Sequence, residues 1–249
     1  MNRKVLAALA VAAGALFAGS SGAAGRAAPA DPRAALLKLL PPGAKLDDLQ
    51  PSPIPGVYEF VQGVDIGYLS ADGRYFIDGN IYDMKTRRNL TELRRDRARL
   101  AMIDSVPESQ MLIYSPPQPR YTITVFTDVD CPFCRKLHGE MARINALGVR
   151  VRYMFFPRTG PGTLSWKKAE AVWCSPDRKA ALALGTSGAP LDVTRLCSQT
   201  PVAREYELGR QVGVRGTPAI ITSTGAYIDG FSSAGDLLKE IRAAEQRGG

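Results

Sequence analysis

Tyr121-Thr122-Ile123-Thr124-Val125-Phe126-Thr127 is followed by Asp128-Val129-Asp130 and then by Cys131-Pro132-Phe133-Cys134. The first run is apolar and rich in threonine, which fits a buried strand. After Cys134 a stripe at Leu137, Met141, Ile144 and Leu147 recurs at helical spacing and is closed by Gly148. Val149, Val151, Tyr153 and Phe155 then alternate as in a second strand. Strand, helix and strand in that order make a βαβ unit whose two strands lie parallel. A Cys-x-x-Cys alone is a weak signal, but placed where a strand of such a unit turns into its helix it reads as a redox dithiol.

At that position Cys131 sits at the helix N-terminus, where unpaired backbone N–H groups and the helix dipole favour a thiolate over a thiol. Cys131 is therefore the expected nucleophile. Cys134, one turn further in and aligned with the apolar stripe, is the expected buried, resolving thiol, and the two can close into a redox-active disulfide. Pro132 suits the first helical turn because its φ is already helical and its missing N–H would have no partner there. Asp130, directly before the nucleophile, is expected to oppose the thiolate. A zinc site built on Cys131, Cys134 and His138 would need a second close pair, which the widely separated Cys174 and Cys197 do not make. No metal and no cofactor is therefore expected. His138 lies about 10 Å along a helix from Cys131, too far for direct proton transfer, and reads as a half-exposed helix residue.

Cys174 and Cys197 read as a structural disulfide, whose loop closure would stabilise the fold by about 3 kcal/mol; a second catalytic pair is the alternative. Gly216-Thr217-Pro218 directly precedes an apolar strand at 219–222. A proline there removes a ladder donor and so belongs at the strand's start. By base rate its peptide bond is trans, although a cis bond suits so tight an entry.

Outward from this core, Asn2, Arg3 and Lys4 precede a short apolar run from Val5 to Ala18 and a stretch of small residues. The run is shorter than the roughly 20 residues that cross a bilayer, so residues 1–30 read as a cleavable secretory signal peptide, with cleavage after Ala23, Ala24 or Ala30, and no stable membrane insertion is expected. An oxidising compartment follows, which is where disulfides persist. Asp31 is expected to cap a short helix with Pro32 at its first position, and residues 57–61, 66–69 and 75–77 read as strands, the last two joined by an Ala71-Asp72-Gly73 turn. This small α+β unit, 31–86, is near the lower size limit for independent stability and wants a partner surface. Asn89, with Glu92 three positions on, opens a connector helix at 87–106 with apolar positions Leu90, Leu93, Leu100 and Ile103. The rest, 107–249, holds the βαβ unit, a helical stretch from Thr163 to Val212, two short strands and a helix capped by Ser233.

The chain of 249 residues is 45% hydrophobic and 22% charged, which excludes a disordered or fibrous protein. Its formal charge of +8 first suggests an anionic partner. Arg3, Lys4 and Arg26 belong to the leader, however, and Arg94, Arg95, Arg97 and Arg99 to the connector helix. That basic stripe has no interleaved aromatic residues and reads as a solvated face rather than a nucleic-acid site.

With these residues in place, the sequence resembles the bacterial periplasmic disulfide isomerases of the DsbC/DsbG family. The likeness is carried by Ile123 to His138, by Gly213-Val214-Arg215-Gly216-Thr217-Pro218-Ala219, and by Asp72-Gly73-Arg74 through Gly79-Asn80-Ile81-Tyr82-Asp83. It implies a thioredoxin fold with a helical insertion, preceded by a small α+β cystatin-like dimerisation domain and a linker helix. It also implies a homodimer, a cis Pro218 that binds substrate backbone with Thr217 beside Cys131, and misfolded disulfide-containing exported proteins as substrates. A membrane thiol reductant of the DsbD type is implied as electron donor. Family members commonly carry Gly-Tyr or Pro-Tyr between the cysteines where this chain has Pro132-Phe133, so its redox poise is open. The implied activity is isomerase; a dithiol oxidase, a sulfenic-acid reductase and a chaperone with secondary thiol activity are the alternatives.

Overall fold

The computed structural model describes residues 31–194 and 196–248; the signal peptide expected at 1–30 lies outside them. Helix α1 (Arg33–Leu37) opens the described chain. Pro32 is its cap rather than its first residue, and the Asp31 carboxylate accepts both the Arg33 N–H and its guanidinium. Strands β1 (Leu49–Pro51), β2 (Val57–Gln62), β3 (Asp65–Ser70) and β4 (Phe76–Ile77) form an antiparallel sheet in the order β1-β2-β3-β4. Its core is small: Leu36, Leu49, Phe60 and Leu69. A two-stranded ribbon, β5 (Tyr82–Asp83) with β6 (Arg88–Asn89), leads into helix α2 (Leu90–Asp104). As expected, Asn89 caps this helix, its side chain accepting the Glu92 N–H at 3.0 Å.

Of the four arginines of α2 expected to be solvated, Arg97 is exposed, but the other three are a fastening. Arg94 bonds Glu59 of β2 at 3.0 Å, and Arg95 donates to the Val64 carbonyl and to Asn80. Arg99 is buried; it pairs with Glu92 and Asp96, donates to the Val212 carbonyl and lies 5.5 Å from the Tyr227 ring centre. Of the four apolar positions read from the sequence, Ile103 alone is fully buried. The helix has compact structure on two sides, so one apolar stripe cannot serve both, and multivalent guanidinium groups reach what leucines would not. The approach is close: a Cβ on Gly225, whose φ is +84°, would lie 1.8 Å from the Asp96 carbonyl oxygen.

The second sheet runs β11-β10-β8-β9-β7, with β7 (Leu112–Tyr114), β8 (Tyr121–Thr127), β9 (Val149–Phe155), β10 (Ala219–Thr222) and β11 (Tyr227–Asp229). Strands β8 and β9 are parallel and all other neighbours antiparallel. Between them the expected single helix is two, α3 (Pro132–Gly139) and α4 (Met141–Ala146), parted at Glu140. The stretch read as helical throughout holds α5 (Leu164–Trp173), α6 (Arg178–Thr186) and α7 (Val202–Gln211). No helix occurs among the described residues of 187–201, where Gly188 at φ +89°, Pro190 and Pro201 interrupt the pattern. Helix α8 (Ala234–Gly248) closes the fold, Ser233 accepting the Asp236 N–H as expected of its cap.

One face of the sheet packs Ile123, Val125, Val151 and Phe155 against Leu137, Ile144 and Ile241. The other packs Phe126, Met154 and Ile221 against Leu208, Val212 and, from α2, Ile103.

Strand β7 stops at Tyr153 of its neighbour, which leaves the Phe155 N–H without a ladder partner. Glu205 of α7 accepts it at 2.6 Å, while the other carboxylate oxygen has no partner. Burial pushes this carboxyl from 4.5 up to about 8. An acid whose pKa is raised on folding contributes full stability below its unfolded value and loses it as pH rises to the folded one, here between 4.5 and about 8. Glu205→Gln, which keeps the acceptor and removes the charge, is expected to melt above wild type at pH 8 and to match it near pH 4, in thermal melts followed by circular dichroism.

Candidate active site

Strand β8 delivers the chain through Asp128-Val129-Asp130 to Cys131, which takes the cap position of α3 in extended backbone (φ −77°, ψ 121°), with Pro132 in the first turn. Cys131 and Cys134 are both buried and both carry free thiols. Strand β10 lies beside β8 in antiparallel register, Ala219 opposite Phe126, so the residues just before β10 meet those just after β8. That topology brings Thr217 and Pro218 to the dithiol. Their peptide bond is cis, against the base rate and as the family resemblance implied. The Cys131 Sγ–H donates to the Thr217 carbonyl at 3.0 Å.

The two thiols are electrostatically unlike. Burial works against a Cys131 thiolate, but the Thr217 side chain, the backbone N–H groups of Cys134 and Phe133 and the Cys134 thiol outweigh it, holding Cys131 below an ordinary thiol. The Thr217 hydroxyl has no partner while the thiol is protonated, which leaves it available to donate to the thiolate. For Cys134 burial prevails and pushes the thiol up to about 12.

Asp130 does not oppose the thiolate in the manner expected. Lys168 binds it at 2.6 Å and Arg135 at 3.5 Å, and two cations at that range cancel its field. The buried carboxylate that organises the turn is Asp128, which was not among the residues singled out from the sequence. Its Oδ1 accepts from Ser165 Oγ at 2.6 Å and the Asp130 N–H at 2.9 Å; its Oδ2 accepts from the Arg158 N–H and Nε. These bonds hold its carboxyl below the usual range in spite of burial. Asp128 thereby aims Arg158, whose charge is felt by both sulfurs. A charged residue just past the C-terminal end of each of two parallel strands was the available signal for this pair.

His138 is half-buried, as expected, and packs edge-on to Tyr114 with ring centres 5.3 Å apart. Phe133 is exposed, with the Lys136 ammonium 5.3 Å from its ring centre. Cys174 ends α5 and is bonded to Cys197, with their Cα atoms 5.5 Å apart.

Known proteins bear on this arrangement. Residues 23–92 match the disulfide bond isomerase protein N-terminal domain and residues 108–245 a thioredoxin-like domain. The thiol:disulfide interchange protein DsbC of Escherichia coli K12 is 36% identical over 225 residues, 88% of this chain and 91% of that protein. DsbC of Haemophilus influenzae is 35% identical over 203 residues, 80% and 84% of the two chains. The chain belongs to the DsbC family. The crystal structure of a disulfide interchange protein from Neisseria gonorrhoeae covers 55% of this chain and 97% of its own, with 29% identity and a TM-score of 0.49. This DsbC-family protein is a thiol-disulfide oxidoreductase with a thioredoxin-like domain. Among its described residues no helix is long and apolar enough to cross a membrane.

In this DsbC-family site the Thr217 hydroxyl is the first of the groups that lower the Cys131 pKa. Thr217→Val keeps the shape and removes the donor. Alkylation of Cys131 by iodoacetamide is expected to slow severalfold at pH 6 and to converge with wild type at high pH, where the thiol ionises without help.

Proposed function

We propose that the protein is a periplasmic disulfide isomerase in which Cys131 attacks and Cys134 resolves. The observation that carries this reading is the unlike pair itself: one thiol held low at a helix N-terminus beside Thr217 and Pro218, the other buried and pushed up to about 12 one turn away. The Cys131 thiolate attacks one sulfur of a wrongly paired substrate disulfide; that S–S bond breaks and a mixed disulfide forms, with the electron pair leaving on the other substrate sulfur. A substrate thiolate can then attack a substrate sulfur and return Cys131 unchanged, which is isomerisation with no net redox change. Alternatively Cys134 attacks the Cys131 sulfur and releases reduced substrate, leaving the Cys131–Cys134 disulfide and passing two electrons to the substrate. Restoring the dithiol then calls for an external donor, for which a membrane thiol reductant of the DsbD type is proposed. Thr217 and Pro218 would hold the substrate backbone against Cys131, and Cys174–Cys197 is assigned a structural role.

The same reading divides the chain into a leader at 1–30 that exports it to the periplasm, a dimerisation domain at 31–86, a linker helix at 87–106 and a catalytic domain at 107–249. A homodimer is supported by the exposed Phe76 and Ile77 on β4, an outer strand of its sheet, with Tyr75 exposed just before it. An unpaired apolar edge of that kind is a surface that wants covering. The substrates are misfolded disulfide-containing exported proteins.

Reactivation of scrambled ribonuclease in a defined glutathione buffer tests the reading. Wild type is expected to restore activity and Cys131→Ser to fall to the buffer rate. Equal rates for the two proteins would sink it, and full suppression of aggregation of a cysteine-free client by Cys131→Ser would point to a chaperone instead.

A further inference from the structure

Among the described residues, His138 Nδ1, Tyr153 Oη, Thr217 Oγ1 and Glu205 Oε1 are the buried side-chain polar atoms with no hydrogen-bond partner. Native interiors rarely leave such groups unpaired, and unpaired ones call for a chemical reason. Thr217 has one in Cys131. His138 and Tyr153 face each other across the gap between α3 and β9, ring centres 5.9 Å apart, and Tyr114 of β7 packs edge-on to both. Cys134 and His138 are four apart on α3, so both project from one face of the helix. Burial raises the Tyr153 pKa, and the field of Cys134 raises it further.

The proposed chemistry leaves one proton without a destination. When Cys134 closes on a mixed disulfide its thiol must ionise, yet it is buried, its pKa is pushed up to about 12, and Cys131 is then bonded to substrate and can take nothing. We propose that Tyr153 and His138 form a proton path for Cys134 with a water bridging each gap: as the Tyr153 hydroxyl takes up the proton that leaves Cys134, its own phenolic proton passes on to His138 Nδ1, so that no charged phenol forms. In this step the Cys134 sulfur bonds to the Cys131 sulfur, the bond from Cys131 to the substrate sulfur breaks, and its electron pair leaves on the substrate. The proton reaches His138 and then solvent, because that ring is half-exposed. Burial holds His138 below an ordinary histidine, so it is neutral and able to accept at neutral pH. The other groups around the path are Tyr114, reached by Lys179 and Asp177 from the start of α6, and Arg158, which acts on the sulfurs from beyond β9 with Asp128, whose carboxylate is occupied by Ser165 and Arg158. None of these offers a neutral base. The distance that removes His138 from Cys131 does not separate it from Cys134, which is a turn nearer.

This inference rests on the proposed roles of the two cysteines, and one experiment separates the two readings. Reduced protein is mixed with 5,5′-dithiobis(2-nitrobenzoate) in a stopped-flow instrument. Cys131 releases the first chromophore in a phase that depends on reagent concentration, and Cys134 releases the second in a phase that does not. Tyr153→Phe and His138→Gln are each expected to slow the second phase at pH 6 by about tenfold or more, to leave the first phase and its pH profile unchanged, and to approach wild type near pH 9, where hydroxide takes the proton. Tyr153→Phe is expected to melt no lower than wild type, since its lost hydroxyl has no partner, whereas His138→Gln also gives up ring contacts with Tyr114 and Tyr153 and is expected to melt somewhat lower. A second phase at the wild-type rate from pH 5 to 9 in both variants overturns the path, as does equal slowing of both phases. A wild type with no distinct first phase overturns the assignment of Cys131 and the path with it.

Discussion

The thioredoxin-like part of this protein depends on where one helix begins. Parallel pairing of β8 with β9 obliges the chain to cross over between them, and the crossover starts with α3 at the C-terminal end of β8. The unpaired N–H groups of that first turn therefore point at Cys131, and the helix interior receives Cys134. Two thiols of the same kind, one turn apart, are driven in opposite directions by this single placement: one toward the anion, the other into the core. Asp128 secures it, because its bonds to Ser165 and Arg158 tie the turn before Cys131 to the loop after β9 and to α5.

The connection between the two sheets is a matter of charge rather than grease. Helix α2 contributes Ile103 to the second core, but it is anchored toward β2 and β3 by Arg94 and Arg95 and toward the thioredoxin-like part by Arg99. Pairing Arg99 with both Glu92 and Asp96 limits the cost of burying its guanidinium. Part of a net charge that resembles an anion-binding surface in composition is, at Arg94, Arg95 and Arg99, engaged by acceptors of the same chain. The absence of a Cβ on Gly225 lets the Asp96 backbone of the helix lie against the β10–β11 turn.

Much of this was legible along the chain because it is local. The β8–α3 junction, the Asn89 and Ser233 caps, the hairpin at Ala71-Asp72-Gly73 and the half-exposed His138 each follow from residues within a few positions of one another. What was not legible required two distant segments at once. Asp130 reads as a charge hostile to the thiolate until Lys168 is seen beside it. The arginines of α2 read as solvated because their acceptors lie on β2, in the β2–β3 turn and after α7. Strand β7 is too short to announce itself and exists because the edge of β9 needs a partner.

The sequence by itself determined that a Cys-x-x-Cys opens a helix inside a βαβ unit, and with it two thiols one turn apart and a thiol-exchange chemistry. Spacing and periodicity suffice for this, since a helix N-terminus and its buried stripe are set by neighbouring residues. Only the tertiary structure decided what surrounds those sulfurs. Antiparallel pairing of β10 with β8 brings in Thr217 and the cis Pro218, and the packing of α3 against the sheet brings His138 to Tyr153. These neighbours come from remote parts of the chain, and an electrostatic environment belongs to the groups that meet in space.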